Sequence, residues 1–302
     1  MYPARITRLF VDAQGRVRNG WWMLAFIACV AATRPVYAVV SGALKNSGLD
    51  ALWREPLGFV FVLLATWFCV RVRRASLTSV GFRLDARWAR QFGGGLLVGG
   101  GALGAAALLI QATGGVQFSL DPQRSVALLL QGLYVFLFAV LMEEALFRGF
   151  LFQRLLAGTN AWVAQLAFAA LFALGHANNP GMEGLVMVIA SLHLALAALW
   201  LGMAYLRTRS LALPIGIHLG WNWVQGSVLG FGVSGLDQHG WLQPAFAGQP
   251  EWVTGGAFGP EASVFGLLVA SALLFALWRW KGTGVAVPAA PAVPDLSAAA
   301  PA

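Results

Sequence analysis

VALLLQGLYVFLFAVLMEEALFRGFLFQRLL, residues 126–156, decides how this chain folds. No charge appears from Val126 to Met142, and an apolar run of about 17 to 25 residues is a candidate transmembrane helix. Then Glu143, Glu144 and Arg148 follow within the same run. Insertion scales put a charged side chain at the bilayer centre at a cost of about 2.5 to 3.5 kcal/mol, so such residues mark a functional site by default. Glu144 and Arg148 have i,i+4 spacing, which puts them on one helix face. The same spacing recurs in Glu143 with Phe147, Phe172 with His176, and His218 with Asn222, each inside an apolar stretch. Carboxylates, two imidazoles and a carboxamide at membrane depth point to hydrolytic chemistry.

The rest of the chain fits a membrane setting. Of 302 residues, 59% are hydrophobic and 11% charged, too little polar surface to coat a soluble globule. Apolar runs fall near 21–43, 56–72, 92–112, 126–156, 161–177, 185–206, 211–231 and 263–280, which predicts an all-α polytopic bundle of about eight transmembrane helices. Basic and acidic residues alternate between these runs. Arg5 to Arg18, Arg71 to Arg90, Arg154, Arg207, Arg209, Arg279 and Lys281 fall on one side; Asp50, Glu55, Asp121, Glu183, Asp237, Glu251 and Glu261 fall on the other. By the positive-inside rule both termini are cytoplasmic. The net charge of +8 is therefore read as orientation in the membrane, and nucleic acid is excluded as a partner.

Three parts follow: a cytoplasmic segment 1–20 with no convincing cleavage site, a transmembrane domain 21–281, and an Ala/Pro-rich tail 282–302 expected to be disordered. Residues 232–262 read as a Gly-rich external loop, with Trp241 and Trp252 at the interface. Gly93 to Gly95 and Gly99 to Gly101 lack a following Lys-Ser or Lys-Thr and lie in an apolar run, so they read as close helix packing. Cys29 and Cys69 imply no disulfide framework.

Depth tests whether the polar groups can meet. The fourth and fifth runs form a hairpin turning near Gly158 to Asn160, and at about 1.5 Å per residue Glu143 and His176 stand about 20 and 22 Å from that turn. His218 and Asn222 rise about 13 and 19 Å above Arg209. Three helices bring polar groups to overlapping depths.

These residues form motifs. Glu143-Glu144-Ala145-Leu146-Phe147-Arg148 is similar to EExxxR, Phe172 to His176 to FxxxH, and His218 to Asn222 to HxxxN, in the order found in the CAAX-protease and bacteriocin-processing (CPBP, or Abi) family of intramembrane proteases. The segment from Gly202 to Ile215 also resembles that family's approach to its third motif, with Arg209 where glycine is frequent. The resemblance covers about 126–228. It implies an intramembrane endopeptidase acting on membrane proteins or lipidated, CAAX-type peptides, an integral protein of a bacterial cytoplasmic membrane, and a site of Glu143, His176, His218 and Asn222. Chemistry assigns the roles. Glu143 is the general base for water. Glu144 pairs with Arg148, which holds the helix face so that Glu143 stays oriented. Two readings of the histidines remain open. In one, Glu143, His176 and His218 ligate Zn²⁺ with an open position for water. In the other no metal takes part: Glu143 and His176 activate the water, and His218 with Asn222 donates to the oxyanion. No HExxH is present, and Asn222 suits donation better than ligation. The cavity is expected to be reached from the cytoplasmic side.

Other polar residues read more plainly: Phe172 as packing beneath His176, His193 as a helix–helix hydrogen bond, His239 as solvated, and Arg34 as a counter-ion without an assigned partner. A proton-coupled transporter would also place Glu and His at mid-membrane, but it predicts inverted repeats, and none is found. A noncatalytic scaffold or immunity protein is the other alternative, against which the intact motif residues argue.

Overall fold

The computed structural model describes residues 9–48 and 51–283. The tail from residue 284 on, and with it Arg5, Arg8 and Asp50 of the charge pattern, lies outside the described residues.

Each apolar run becomes helical. The helices are α1 (Asn19–Asn46), α2 (Glu55–Val72), α3 (Ala86–Ala112), α4 (Val126–Glu144), α5 (Phe150–Gly158), α6 (Ala161–Gly175), α7 (Gly184–Thr208), α8 (Ala212–Trp223) and α9 (Val264–Arg279). Their starts follow from capping chemistry. Asp85, Ser125, Asn160 and Ser263 sit in extended conformation, and their side chains accept from Trp88, Leu128, Val163 and Gly266 N–H respectively. Five segments are long and apolar enough to cross a bilayer: Asn19–Asn46, Ala51–Val72, Ala86–Ala112, Val126–Gly158 and Gly184–Thr208. Helices α6 and α9 are apolar but shorter, at 15 and 16 residues. The protein is an integral membrane protein built as a helical bundle.

Two features depart from the sequence-based expectation. The fourth run is one long helical span, Val126–Gly158, as expected, but it is not α throughout: between α4 and α5 the residues Ala145–Gly149 form a π turn. A second π turn, Val224–Val228, follows α8. Also, the bundle is not purely α. Val116–Leu120 (β1) pairs antiparallel with Leu242–Phe246 (β2), with Phe118 opposite Pro244. This ribbon ties the connection before α4 to the 232–262 segment. Pro244 lacks an N–H for the ladder and so masked the strand in the sequence.

The bundle sorts its connections by charge. At one end Arg154 Nη1 donates to Asn19 Oδ1 at 3.3 Å, Arg87 Nη2 to Thr283 Oγ1 at 2.6 Å, and Arg207 Nε to the Leu277 carbonyl at 3.1 Å. At the other, Asp121 N–H meets the Trp241 carbonyl and Asn179 Nδ2 the Ser234 carbonyl. Trp252 is exposed there, whereas Trp241 is half-buried. Arg34 is exposed on α1 and makes no ion pair among the described residues.

The closest helix pair is α3 with α8. A methyl group added to Gly95 or Gly99 would collide with the backbone of Leu213 to Ile217, and one added to Gly216 or Gly220 with the carbonyls of Phe92 or Leu96. Small residues let helix backbones touch where lipid supplies no hydrophobic drive. By contrast Gly93, Gly94 and Gly101 face open space. Gly216 and Gly220 lie two residues from His218, on the opposite side of α8. The seam therefore fixes the depth and rotation at which α8 presents His218 and Asn222.

Candidate active site

Three helices contribute the polar groups, and in two of them a π turn begins right after the motif residues. Such widened turns occur mostly at functional sites because they redirect side chains by inserting one residue. The first starts at Ala145, directly after Glu144, and carries Arg148; the second starts at Val224, just beyond Asn222.

At the centre of the bundle Glu144 and Arg148 are both buried, and Arg148 Nη1 donates to Glu144 Oε1 at 3.0 Å. The same Oε1 accepts from His218 Nδ1 at 2.8 Å. A carboxylate can only accept, so Nδ1 of His218 carries a proton and Nε2 faces the cavity. Glu143 Oε2 lies 3.7 Å from that Nε2, longer than a hydrogen bond. Its side chain is 25% exposed and makes no hydrogen bond among the described residues. The two neighbouring glutamates thus occupy different surroundings, one locked between two cations or donors and one open to the cavity.

His176 is the C-cap of α6, and its Nδ1 lies 2.8 Å from the Phe172 carbonyl one turn earlier. A carbonyl also only accepts, so Nδ1 holds the proton and Nε2 is left as an acceptor. Phe172 does more than pack beneath His176. Its ring lies 4.6 Å from the His176 ring and 6.2 Å from that of His218, and the Arg148 guanidinium sits over it at 4.9 Å. It packs against the Arg148 guanidinium and both imidazoles, and Phe147 braces it edge-on at 5.2 Å.

Glu143, His176, His218 and Asn222 all line one cavity of about 360 Å³. Asn222 makes no hydrogen bond among the described residues, so its carboxamide is available to a ligand. Two donors on the cavity wall, Trp200 Nε1 and Trp221 Nε1, are buried without a hydrogen-bond partner among the described residues. Orphaned donors facing a space this size are satisfied by water or by a ligand's polar atoms. As expected, His193 makes a helix–helix hydrogen bond, to the Gly266 backbone of α9, and its ring stands 5.1 Å from Trp221.

Sequence reasoning missed part of this wall. Asn179, Ser234 and Glu261 also line the cavity. Glu261 is buried; its carboxylate accepts from Ser234 N–H at 2.6 Å and from Gln225 Nε2 at 3.3 Å. Burial pushes its pKa above the ordinary carboxyl range, opposed more weakly by the Ser234 N–H bond and by nearby His176. Gln225 also donates to the Gly232 carbonyl at 2.7 Å. The second π turn therefore clasps residues 232–262 over the cavity. No local signal marks Ser234; a carboxylate three residues before the apolar start of α9 was the one visible hint.

The cavity is bounded by residues of the acidic connections and by none of the basic ones. The cavity belongs to the acidic half of the bundle.

As for zinc, no group of three or more His, Cys, Asp or Glu among the described residues is arranged to hold a metal ion. Nor does Asn222 supply a good third ligand. The donor set does not fit a zinc centre in this arrangement.

The fold defines a polytopic membrane protein with a partly polar cavity of about 360 Å³ inside the helix bundle. Residues 125–224 match the family model of the Rce1-like, type II CAAX prenyl endopeptidases. The match spans all three motifs and bears out the CPBP resemblance they carry. No curated protein and no solved structure matches the chain.

Proposed function

We propose that this protein is an intramembrane endopeptidase that hydrolyses a peptide bond of a membrane-associated substrate, of the lipidated CAAX type named by the matching family. The observation that carries this reading is the convergence of Glu143, His176, His218 and Asn222, from α4, α6 and α8, on one cavity.

Glu143 takes a proton from water as the water oxygen attacks the scissile carbonyl carbon. His176 Nε2, its tautomer fixed by the Phe172 carbonyl, accepts the second water proton as a hydrogen bond and orients the attack. The carbonyl oxygen, becoming an oxyanion, is held by the Asn222 amide and by His218 Nε2–H. Because Nδ1 of His218 is committed to Glu144, that role requires the imidazolium. Glu143 then returns its proton to the leaving amine as the C–N bond breaks. Glu144 and Arg148 position His218 and are not consumed. No step passes through a metal.

The test is cleavage of a fluorogenic prenylated peptide, and of its unprenylated twin, by purified protein. Wild type should cleave while Glu143→Ala and His218→Ala fall by at least about a hundredfold. Wild-type rates in both variants would refute the assignment. Stoichiometric zinc in active protein, with activity lost to a chelator and restored by zinc, would replace this mechanism with the metal one. Preference for the prenylated peptide decides the substrate class.

A further inference from the structure

A second cavity, of about 580 Å³, opens at the opposite, basic end of the bundle, between the α2–α3 connection, α3, α5 and the α7–α8 turn. Arg83, Arg87, Arg154 and Arg209 line it, with Asp85 as the one acidic residue. Asp85 is engaged by Arg83 Nε at 2.9 Å, which leaves three guanidinium charges without a carboxylate in the wall. Two donors in the wall are unmet. Arg154 Nε and Gln91 Nε2 are buried and have no hydrogen-bond partner among the described residues. Buried donors in native proteins are nearly always satisfied, so this wall is short of an acceptor. The charge calls for that acceptor to be an anion.

Backbone geometry adds an independent observation. Arg209 closes α7 in the left-handed region, at φ 54°, where glycine is unstrained and a side chain is not. A large cation is held at that strained corner, at the mouth of the cavity. Trp88, also in the wall, donates its indole N–H to the Gly81 carbonyl at 3.2 Å and stacks on Phe92 at 5.4 Å, the amphipathic arrangement of an aromatic at headgroup level. Forked arginine donors match phosphate oxygens in geometry and charge.

We propose that this basic cavity binds a phosphate group, carried to it by the headgroup of an anionic phospholipid of the leaflet it faces. Basic pockets between transmembrane helices at the cytoplasmic surface suit such headgroups. The site is separate from the candidate active site and does not depend on the proteolytic reading.

The test is calorimetric titration of the full-length protein in neutral detergent with short-chain phosphatidylglycerol, short-chain phosphatidylcholine and inorganic phosphate. Wild type should bind phosphatidylglycerol, more weakly as salt rises. Phosphatidylcholine should bind at least about tenfold less tightly, and Arg154→Gln and Arg209→Gly should each weaken phosphatidylglycerol by about tenfold or more. Arg209→Gly relieves the left-handed backbone, so its melting temperature should hold or rise, which separates lost binding from lost folding. Inorganic phosphate that binds as tightly, and competes, supports the phosphate site while assigning it to the free anion. Binding of phosphatidylglycerol that matches phosphatidylcholine, or that survives both substitutions unchanged, overturns the proposal.

Discussion

Two adjacent glutamates with opposite surroundings give a sharp test of what each does. Glu144 is wholly buried and its Oε1 holds both Arg148 and His218, at 3.0 and 2.8 Å. Glu144→Gln keeps the shape and one carbonyl acceptor but removes the charge, leaving the Arg148 guanidinium buried without a counter-ion. Breaking a buried pair from one side costs about 3 to 5 kcal/mol, and the retained acceptor puts the expected loss near the lower figure. Scaled to a chain of this length, that is a fall in melting temperature on the order of 5 °C. Glu143→Gln differs in kind. Its carboxylate is a quarter exposed and stands 3.7 Å from His218, so stability should stay within about 0.5 kcal/mol while cleavage drops by about 10² to 10⁴. Thermal melts in detergent, followed by tryptophan fluorescence, run beside peptide cleavage on the same preparations. Both variants are expected to lose activity, since Glu144 also orients His218, so the melt is the deciding readout. An Glu143→Gln protein that melts as early as Glu144→Gln, or a Glu144→Gln protein with wild-type stability, would refute the reasoning.

Further outcomes are expected. Asn222→Ala should lower kcat by about a hundredfold with little change in KM, because an oxyanion donor acts on the transition state; a change confined to KM would make Asn222 a substrate contact instead. Gly99→Val should fail to pack against the Ile217 carbonyl and lose folded protein or activity, whereas Gly101→Val, which faces open space, should behave as wild type in size-exclusion profiles and cleavage. For Glu261 the sign follows from a folded-state pKa raised by burial: its contribution to stability is fully present below the unfolded value, about 4.3, and is lost as pH rises through the folded value. Melting temperatures of wild type should therefore decline across that window, and Glu261→Gln should remove that part of the slope; parallel profiles would place the titration elsewhere.

The helices were legible because lipid imposes a simple rule on sequence: an apolar run must bond its own backbone, and residues such as Asp85, Ser125, Asn160 and Ser263 announce where each helix starts. Periodicity also brought Glu143, His176, His218 and Asn222 to one depth. What it did not reveal depends on contacts distant along the chain. The π turns at Ala145–Gly149 and Val224–Val228 have no composition of their own; they are imposed by what the motif residues must reach. The clasp of Gln225 and Ser234 on Glu261 joins groups up to 36 positions apart, inside a stretch whose glycines read only as loop.

That clasp changes how the chamber is understood. Four motif residues can position a water, but a water held between Glu143 and His176 must also be kept from exchanging freely with bulk solvent on the near side. Under the proposed mechanism Val233, Ser234, Leu236 and Glu261, which line the cavity, would supply that cover, anchored through Gln225 to the same helix that carries His218 and Asn222, and through Asn179 to the connection that follows His176. The far side of α8 is pinned on α3 by Gly216 and Gly220. Freezing that seam while loosening the cover, by Ser234→Gly or Asn179→Ala, should alter KM for a peptide more than the rate of the bound complex. If such variants instead lose kcat with KM unchanged, the 232–262 segment takes part in the chemistry and is no cover.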